Sequence, residues 1–233
     1  MEAMLLRVGI DKGTDGALAP IFDDGSFEYI PISETDPNSK ENRTYRNTIG
    51  RSGKPLSTYL PERIGNRKIH FDPEFETFTY GDPTSKRRNL LKLKKGDLLV
   101  FYAGLTPFKT QRYKEALYII GYFTIEKILD FSQLTEVEIK KYCKIYSNNA
   151  HLKRSYIPRN LVIVVGDRNK SKLLEKAILI SQTKYDKSGR PYQAISKEME
   201  ISLGIRGSIQ RSIPPRFIRK KSNLDNLRRI LGL

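Results

Sequence analysis

The sequence predicts an α+β fold in which three to four short helices accompany a mixed, largely antiparallel sheet. Three observations predict it. Residues 96–104 and 116–125 are β-branched and aromatic runs separated by the basic loop 109–114, which reads as a central antiparallel pair. Residues 161–165 are apolar at every position, as in a strand covered on both faces. Thr135 with Glu138 three residues later forms a capping box, which predicts a helix running to about Asn148.

The remaining elements follow in chain order. Leu5, Leu6, Val8 and Ile10 make a short apolar strand that ends at Asp11, and Gly13 and Gly16 follow it. A carboxylate at a sheet edge beside a glycine loop is where sites are built, because glycine permits close approach of a ligand and free amides there hold anions. Arg7, Asp11, Lys12, Gly13 and Gly16 therefore face a ligand in this reading; the alternative is an ordinary strand and loop. Asp24-Gly25 reads as a hairpin turn. Residues 33–66 form a long polar arm whose Arg43, Tyr45, Arg46, Arg51, Lys54 and Tyr59 mix cations with aromatic faces, suited to phosphates and bases. Residues 68–73 read as a short strand with His70 and Asp72 on one face, an imidazole and a carboxylate placed to act as a pair.

Residues 80–83 read as a turn, and residues 86–93 as one or two helical turns opened by Lys86, Arg87 and Arg88. The capping-box helix offers Leu134, Val137, Cys143, Ile145 and Tyr146 for burial, which puts Cys143 in the core. His151 follows that helix, beside Lys153 and Arg154. After the apolar strand, Leu173, Leu174 and Ala177 suggest a helix of about two turns, and residues 179–181 another strand. Ser196 caps a short helix ended by Gly204, and Leu224, Leu227 and Leu231 line an amphipathic helix near the C-terminus. The expected division is one α+β domain over residues 1–205, with a basic C-terminal segment, 206–233, packed on it or extending from it.

Forty-two Lys and Arg against 26 Asp and Glu give a formal charge of +16, far beyond what solubility needs. Nucleic acid, DNA or tRNA, is the first partner this implies. Arg43, Arg46, Arg87, Arg88, Arg219, Lys220 and Lys221 are the candidate phosphate contacts. A single cysteine excludes an internal disulfide and a cysteine-cluster zinc site, and no apolar run approaches the ~20 residues of a membrane helix, so a cytoplasmic protein is expected.

The chain has only two histidines, and both lie among charged neighbours. Asp11, His70, Asp72 and His151 are the candidate catalytic residues, since a base-modifying or hydrolytic reaction needs a group that titrates near neutrality. Arg7, Lys12, Gly13, Gly16, Arg154 and Tyr102 are the candidate nucleotide and phosphate ligands. The two histidines with Asp11 and Asp72 could in principle ligate a metal, but the short His/Asp spacing of a known site is lacking, and no metal is expected. Neither a P-loop nor a dinucleotide fingerprint, HExxH or Gly-x-Ser-x-Gly occurs, which disfavours the familiar cofactor enzymes and leaves the cofactor unassigned.

Residues 94–102 with 119–125 resemble the strand pair of PUA-like folds such as the EVE, ASCH and YTH domains, which implies a pseudo-barrel as the alternative to an open sheet. More of the chain resembles the third nucleotide-modification-associated domain family. The residues that carry it are Arg7, Gly9, Asp11, Gly16, Pro20 and Ile21; His70, Asp72 and Pro73; Gly96 and Asp97; His151; and the strand 161–165. It spans about three quarters of the chain; Ala17, where the family often shows a further glycine, and the basic tail depart from it. The resemblance implies a role in modifying bases of nucleic acid. A PUA-like resemblance alone implies a non-catalytic reader that receives a flipped or modified base on stacking aromatics, for which Tyr45, Tyr102 and Tyr122 are the candidates.

Overall fold

The computed structural model describes residues 1–233. In chain order the elements are β1 (Ala3–Arg7), β2 (Ala19–Ile21), β3 (Ile32–Ser33), β4 (Ile69–His70), β5 (Thr79–Asp82), α1 (Arg87–Leu90), β6 (Leu98–Pro107) and β7 (Ala116–Asp130). Then come α2 (Glu136–Ile145), β8 (Val162–Gly166), β9 (Lys172–Leu179), β10 (Ser181–Tyr185), β11 (Pro191–Ile195), α3 (Lys197–Leu203), β12 (Arg216–Ile218) and α4 (Lys221–Leu231).

Eight strands form one sheet, ordered β12-β1-β6-β7-β8-β5, with β2 added to β6 and β9 added to β7. Only β1 and β2 pair with β6 in parallel; every other pairing in this sheet is antiparallel. The fold is α+β with a mixed, mostly antiparallel sheet, and the sheet does not close into a barrel. The predicted central pair is β6 and β7, with Val100 opposite Tyr122. The first eight residues of β6 are all buried, and those that are hydrophobic belong to the main core, together with residues of α4 and of the polar arm. β7 is long enough to change partners, running beside β6 and β9 and then, past a register shift at Ile125, beside β8.

The structure redraws several elements. Residues 172–179 form a strand, not a helix: Leu173, Leu174 and Ala177 are on β9, whose backbone is taken up by β7. Residues 79–82 are likewise strand β5, paired with β8, where a turn was expected. The helix α2 carries the expected capping box but buries no residue fully. Its contact stripe is Ile139, Tyr142, Cys143 and Tyr146, on the small cluster of Leu129, Phe131, Leu161, Ile163 and Val165. Val137 and Ile145 fall off that stripe and are 77% and 52% exposed. Cys143 is half-buried at the edge of this cluster.

The arm after β3 is no solvated excursion, since it sends Tyr45, Leu56 and Ile64 into the main core. At the C-terminal end β12 pairs with β1, and α4 buries Leu224, Leu227 and Leu231 as their spacing predicts. No helix is long and apolar enough to cross a membrane.

Candidate functional site

Two segments far apart in the chain bring His70 and Asp72 together with His151, with one donor atom from each residue inside a 4.8 Å span. His70 ends β4, and Asp72 follows two residues later with its amide on the His70 carbonyl at 2.8 Å. His151 sits in a short 3-10 turn, residues 150–153, that begins at Asn149. The two imidazole Nε2 atoms are 3.3 Å apart, and His151 Nε2 is 3.5 Å from Asp72 Oδ2.

Neighbouring groups hold the Asp72 and His70 side chains and the His151 backbone in place, whereas His151 Nδ1 is buried without a partner. Asp72 Oδ1 accepts from the Gly81 amide of β5 at 2.9 Å and from Asn149 Nδ2 at 3.1 Å, so its other oxygen is left to face the histidines. Asn149 also accepts from the His151 amide at 3.0 Å, so one buried amide side chain couples the carboxylate to the histidine turn. Gly81 is required by the packing. A Cβ there would meet His151 Cδ2 at 2.5 Å and Ile163 Cδ1 at 3.0 Å.

Glu34, carried next to His70 by the β3–β4 pairing, approaches His70 Nδ1 at 2.7 Å and takes two bonds from Arg154, at 3.0 and 2.7 Å. A hydrogen on Nδ1 serves that carboxylate and turns the lone pair of Nε2 toward His151. Burial lowers the His70 imidazole below its ordinary value, more than Glu34 raises it, so the ring is neutral at neutral pH. Burial works against the charge on Glu34, but the bonds from His70 and Arg154 outweigh it and hold the carboxyl well below the usual range.

The three residues line a cavity of about 230 Å³ whose other walls include Arg7, Lys86, Arg154 and Arg211. Burial lowers the Lys86 ammonium, and Asp82 opposes that only in part. Burial and the neighbouring Arg211 bring Arg7 down to about 10, and its Nε is buried without a partner.

Arg7 and Arg211 also line a second, larger cavity of about 560 Å³ with Asp11, Lys12, Gly13, Gly104 and Gln210. Asp11 there is surrounded by donors. Its Oδ1 accepts from the Gly13 and Thr14 amides, both at 2.9 Å, and its Oδ2 from Arg211 Nε at 2.5 Å. Burial pushes the Asp11 carboxyl up, but Arg211, Arg7 and the Thr14 amide prevail and keep it below its ordinary value.

Residues 2–206 match the family described as nucleotide modification associated domain 3. The chain belongs to that family. No curated protein and no solved structure matches it.

In this nucleotide modification associated domain 3 chain the four candidate catalytic residues do not share one pocket. His70, Asp72 and His151 converge, and Asp11 lines the other cavity. The loop after Asp11 is not an open anion cradle, because the Gly13 and Thr14 amides bond the Asp11 side chain and the Gly16 amide bonds the Asp11 carbonyl at 3.2 Å. Lys12 pairs with Glu115 at the mouth of the larger cavity, and Arg154 with Glu34 beside the smaller.

Tyr102 lies in the core, with its hydroxyl donating to the Ile209 carbonyl at 2.9 Å. Tyr45 and Tyr122 are core residues too, at 0% and 5% exposure, so none of the three presents a face on which a base can stack. Among the candidate phosphate contacts, Arg43 pairs with Glu41 and Glu76, Arg87 with Asp130 and Arg219 with Glu2. Arg46, Arg88, Lys220 and Lys221 are exposed, and no ion pair engages them.

Sequence reasoning missed Glu34 and Asn149, which carry no motif, Lys86, which it read only as opening a basic helical turn, and Arg211, which it left inside the basic C-terminal segment. The one available signal was pairing: a strand ending in His70 needs a neighbour, and β3 brings Glu34 with it.

Proposed function

We propose that this chain is an enzyme that modifies a base or nucleotide of DNA or RNA, with the reacting atom at His70, Asp72 and His151. One observation carries the reading: the chain's only two histidines and a carboxylate meet at the wall of a cation-lined cavity, in a family associated with nucleotide modification. Arg7, Lys86, Arg154 and Arg211 supply positive charge around the three donors, which suits a phosphate-bearing substrate. The larger cavity on the far side of Arg7 and Arg211 has the volume of a site for a nucleotide-sized ligand.

A non-catalytic reader is disfavoured because its stacking aromatics are buried. Mass spectrometry of nucleosides from duplex DNA, single-stranded DNA and tRNA incubated with the protein tests the proposal. The wild type, supplied with divalent cations and common group donors, is expected to create or remove a modified nucleoside, and the His70→Ala/His151→Ala variant to leave all three polymers unchanged. An unchanged nucleoside pool with the wild type in every arm overturns the enzymatic reading.

A further inference from the structure

We propose that His70 Nε2, His151 Nε2 and Asp72 Oδ2 ligate a divalent first-row transition cation, leaving coordination positions open toward the 230 Å³ cavity. This inference deepens the site reading above and rests on it only for what the cation would act upon.

Geometry comes first. Bonds from such a cation to imidazole nitrogen or carboxylate oxygen are about 2.0–2.2 Å long. Two donors on one cation are then about 3.0 Å apart at an octahedral angle and about 3.4 Å apart at a tetrahedral one. The His70–His151 and His151–Asp72 separations, 3.3 and 3.5 Å, are edges of that size. The donor set is equally specific, because two imidazoles and one carboxylate with open positions suit iron, zinc, cobalt or manganese and suit calcium and magnesium poorly.

The surroundings of His70 and Asp72 are those of ligands, while His151 Nδ1 is buried without a partner. Ligating histidines are commonly oriented by a carboxylate on the other ring nitrogen, and Glu34 does this for His70. Ligating carboxylates are themselves hydrogen-bonded, as Asp72 is by Gly81 and Asn149. Each cation around the cavity has a carboxylate within reach, Arg154 with Glu34, Lys86 with Asp82 at 3.9 Å, and Arg7 and Arg211 sharing Asp11, so the wall keeps a net positive charge. That charge favours an anionic oxygen as the metal's further ligand. Without a cation, two imidazole nitrogens and a carboxylate oxygen lie within 4.8 Å of one another in a buried place, where only one proton can sit between the two Nε2 atoms.

The test uses the full chain, stripped with a chelator and dialysed. Calorimetric titration with Zn²⁺ and visible absorption with Co²⁺ are expected to give one site per chain. Affinity should fall at least tenfold in His70→Ala, Asp72→Ala and His151→Ala, and about 10- to 100-fold in Glu34→Gln, which keeps all three ligands. Asp225→Asn, on the exposed face of α4, should bind as the wild type does.

Because the chain has only two histidines, imidazole ¹⁵N resonances read the site in the unmutated protein, even where a variant fails to fold. Both Nε2 signals should shift with one equivalent of Zn²⁺. Titrations that show no site, or ¹⁵N signals that stay in place, overturn the metal inference. A nucleoside product formed by chelated, metal-free protein would remove the cation and leave the base-modification reading standing; a tightly bound cation with no product in any polymer would do the reverse.

Discussion

The two cavities that share Arg7 and Arg211 differ in what their carboxylates have left to give. In the larger one Asp11 meets Arg211, the Gly13 amide and the Thr14 amide, and it has no free oxygen. In the smaller one Asp72 spends one oxygen on Gly81 and Asn149 and keeps the other for two histidines. An equally buried aspartate is a structural anion in one place and a chemical group in the other. The donors around it make the difference, and neither cavity size nor residue type reveals it.

The largest expected effect tests that contrast directly. Asp72→Asn should lower product formation by about 10²-fold or more, the scale of losing a proton-transfer or ligating group. Asp11→Asn keeps an oxygen for the loop amides but leaves Arg211 without its anion, so it should cost about 1–3 kcal/mol of stability while the folded fraction keeps activity within about tenfold. Product assays normalised to folded protein, with denaturant unfolding beside them, check both. Equal losses of activity from the two variants would erase the distinction.

A smaller effect sharpens it. Gly81→Ala places a methyl against the His151 ring and Ile163, a clash in packed surroundings that should cost about 1–3 kcal/mol and most of the activity. Gly104→Ala, on the larger cavity, meets the movable ends of Leu18 at 2.7 Å and Arg7 at 2.9 Å, and should cost less of both. Thermal unfolding and turnover of the two variants decide the order.

Much of this architecture was legible in the sequence, and the losses have physical causes. The β6–β7 pair and the Thr135 capping box are local patterns, and local patterns survive folding. His70 and Asp72 were expected on one face of a strand through residue 73; the strand ends at His70, and Asp72 reaches the same cluster from the segment that follows, its amide on the His70 carbonyl. Residues 172–179 could not be read locally: their apolar spacing fits a helix, and hydrogen bonds to β7 made them a strand. Arg154 was identified as an anion partner, but that its anion is Glu34, and that Glu34 orients His70, depends on contacts across more than 30 residues. That His151 stands beside His70 and Asp72 was hidden for a related reason, because the Asn149 turn brings it there.

Away from both cavities, Glu41 links the polar arm to the turn that carries His151, accepting from Arg43 at 2.9 Å and Lys153 at 2.8 Å. Burial opposes its charge, but those bonds prevail and bring the carboxyl down to about 2. A folded-state value below the unfolded one means that the stabilisation is complete above the unfolded value and is lost as pH falls toward the folded one. Acid titration of stability should show a loss of more than about 1 kcal/mol between roughly pH 4.5 and pH 2, and Glu41→Gln should remove that part of the slope. An unchanged slope in the variant would place the acid sensitivity elsewhere.

The smallest effect concerns the surface. Exposed cations already paired with a carboxylate must give up that partner before they reach a phosphate, whereas free ones need not. Arg46, Arg88, Lys220 and Lys221 are free; Arg43, Arg87 and Arg219 are paired. If duplex DNA is the polymer, neutralising a free residue that contacts it should reduce the log-log salt slope of binding by about 0.9, and on a single strand by about 0.7. Neutralising Arg88, Lys220 and Lys221 together should therefore flatten the slope more than neutralising Arg43, Arg87 and Arg219, and should weaken all sequences alike, since phosphate contacts position without specifying. A steeper dependence on the paired set would mean that nucleic acid draws those arginines off their carboxylates, and that the polymer lies across Glu41, Asp130 and Glu2 instead of the free cations.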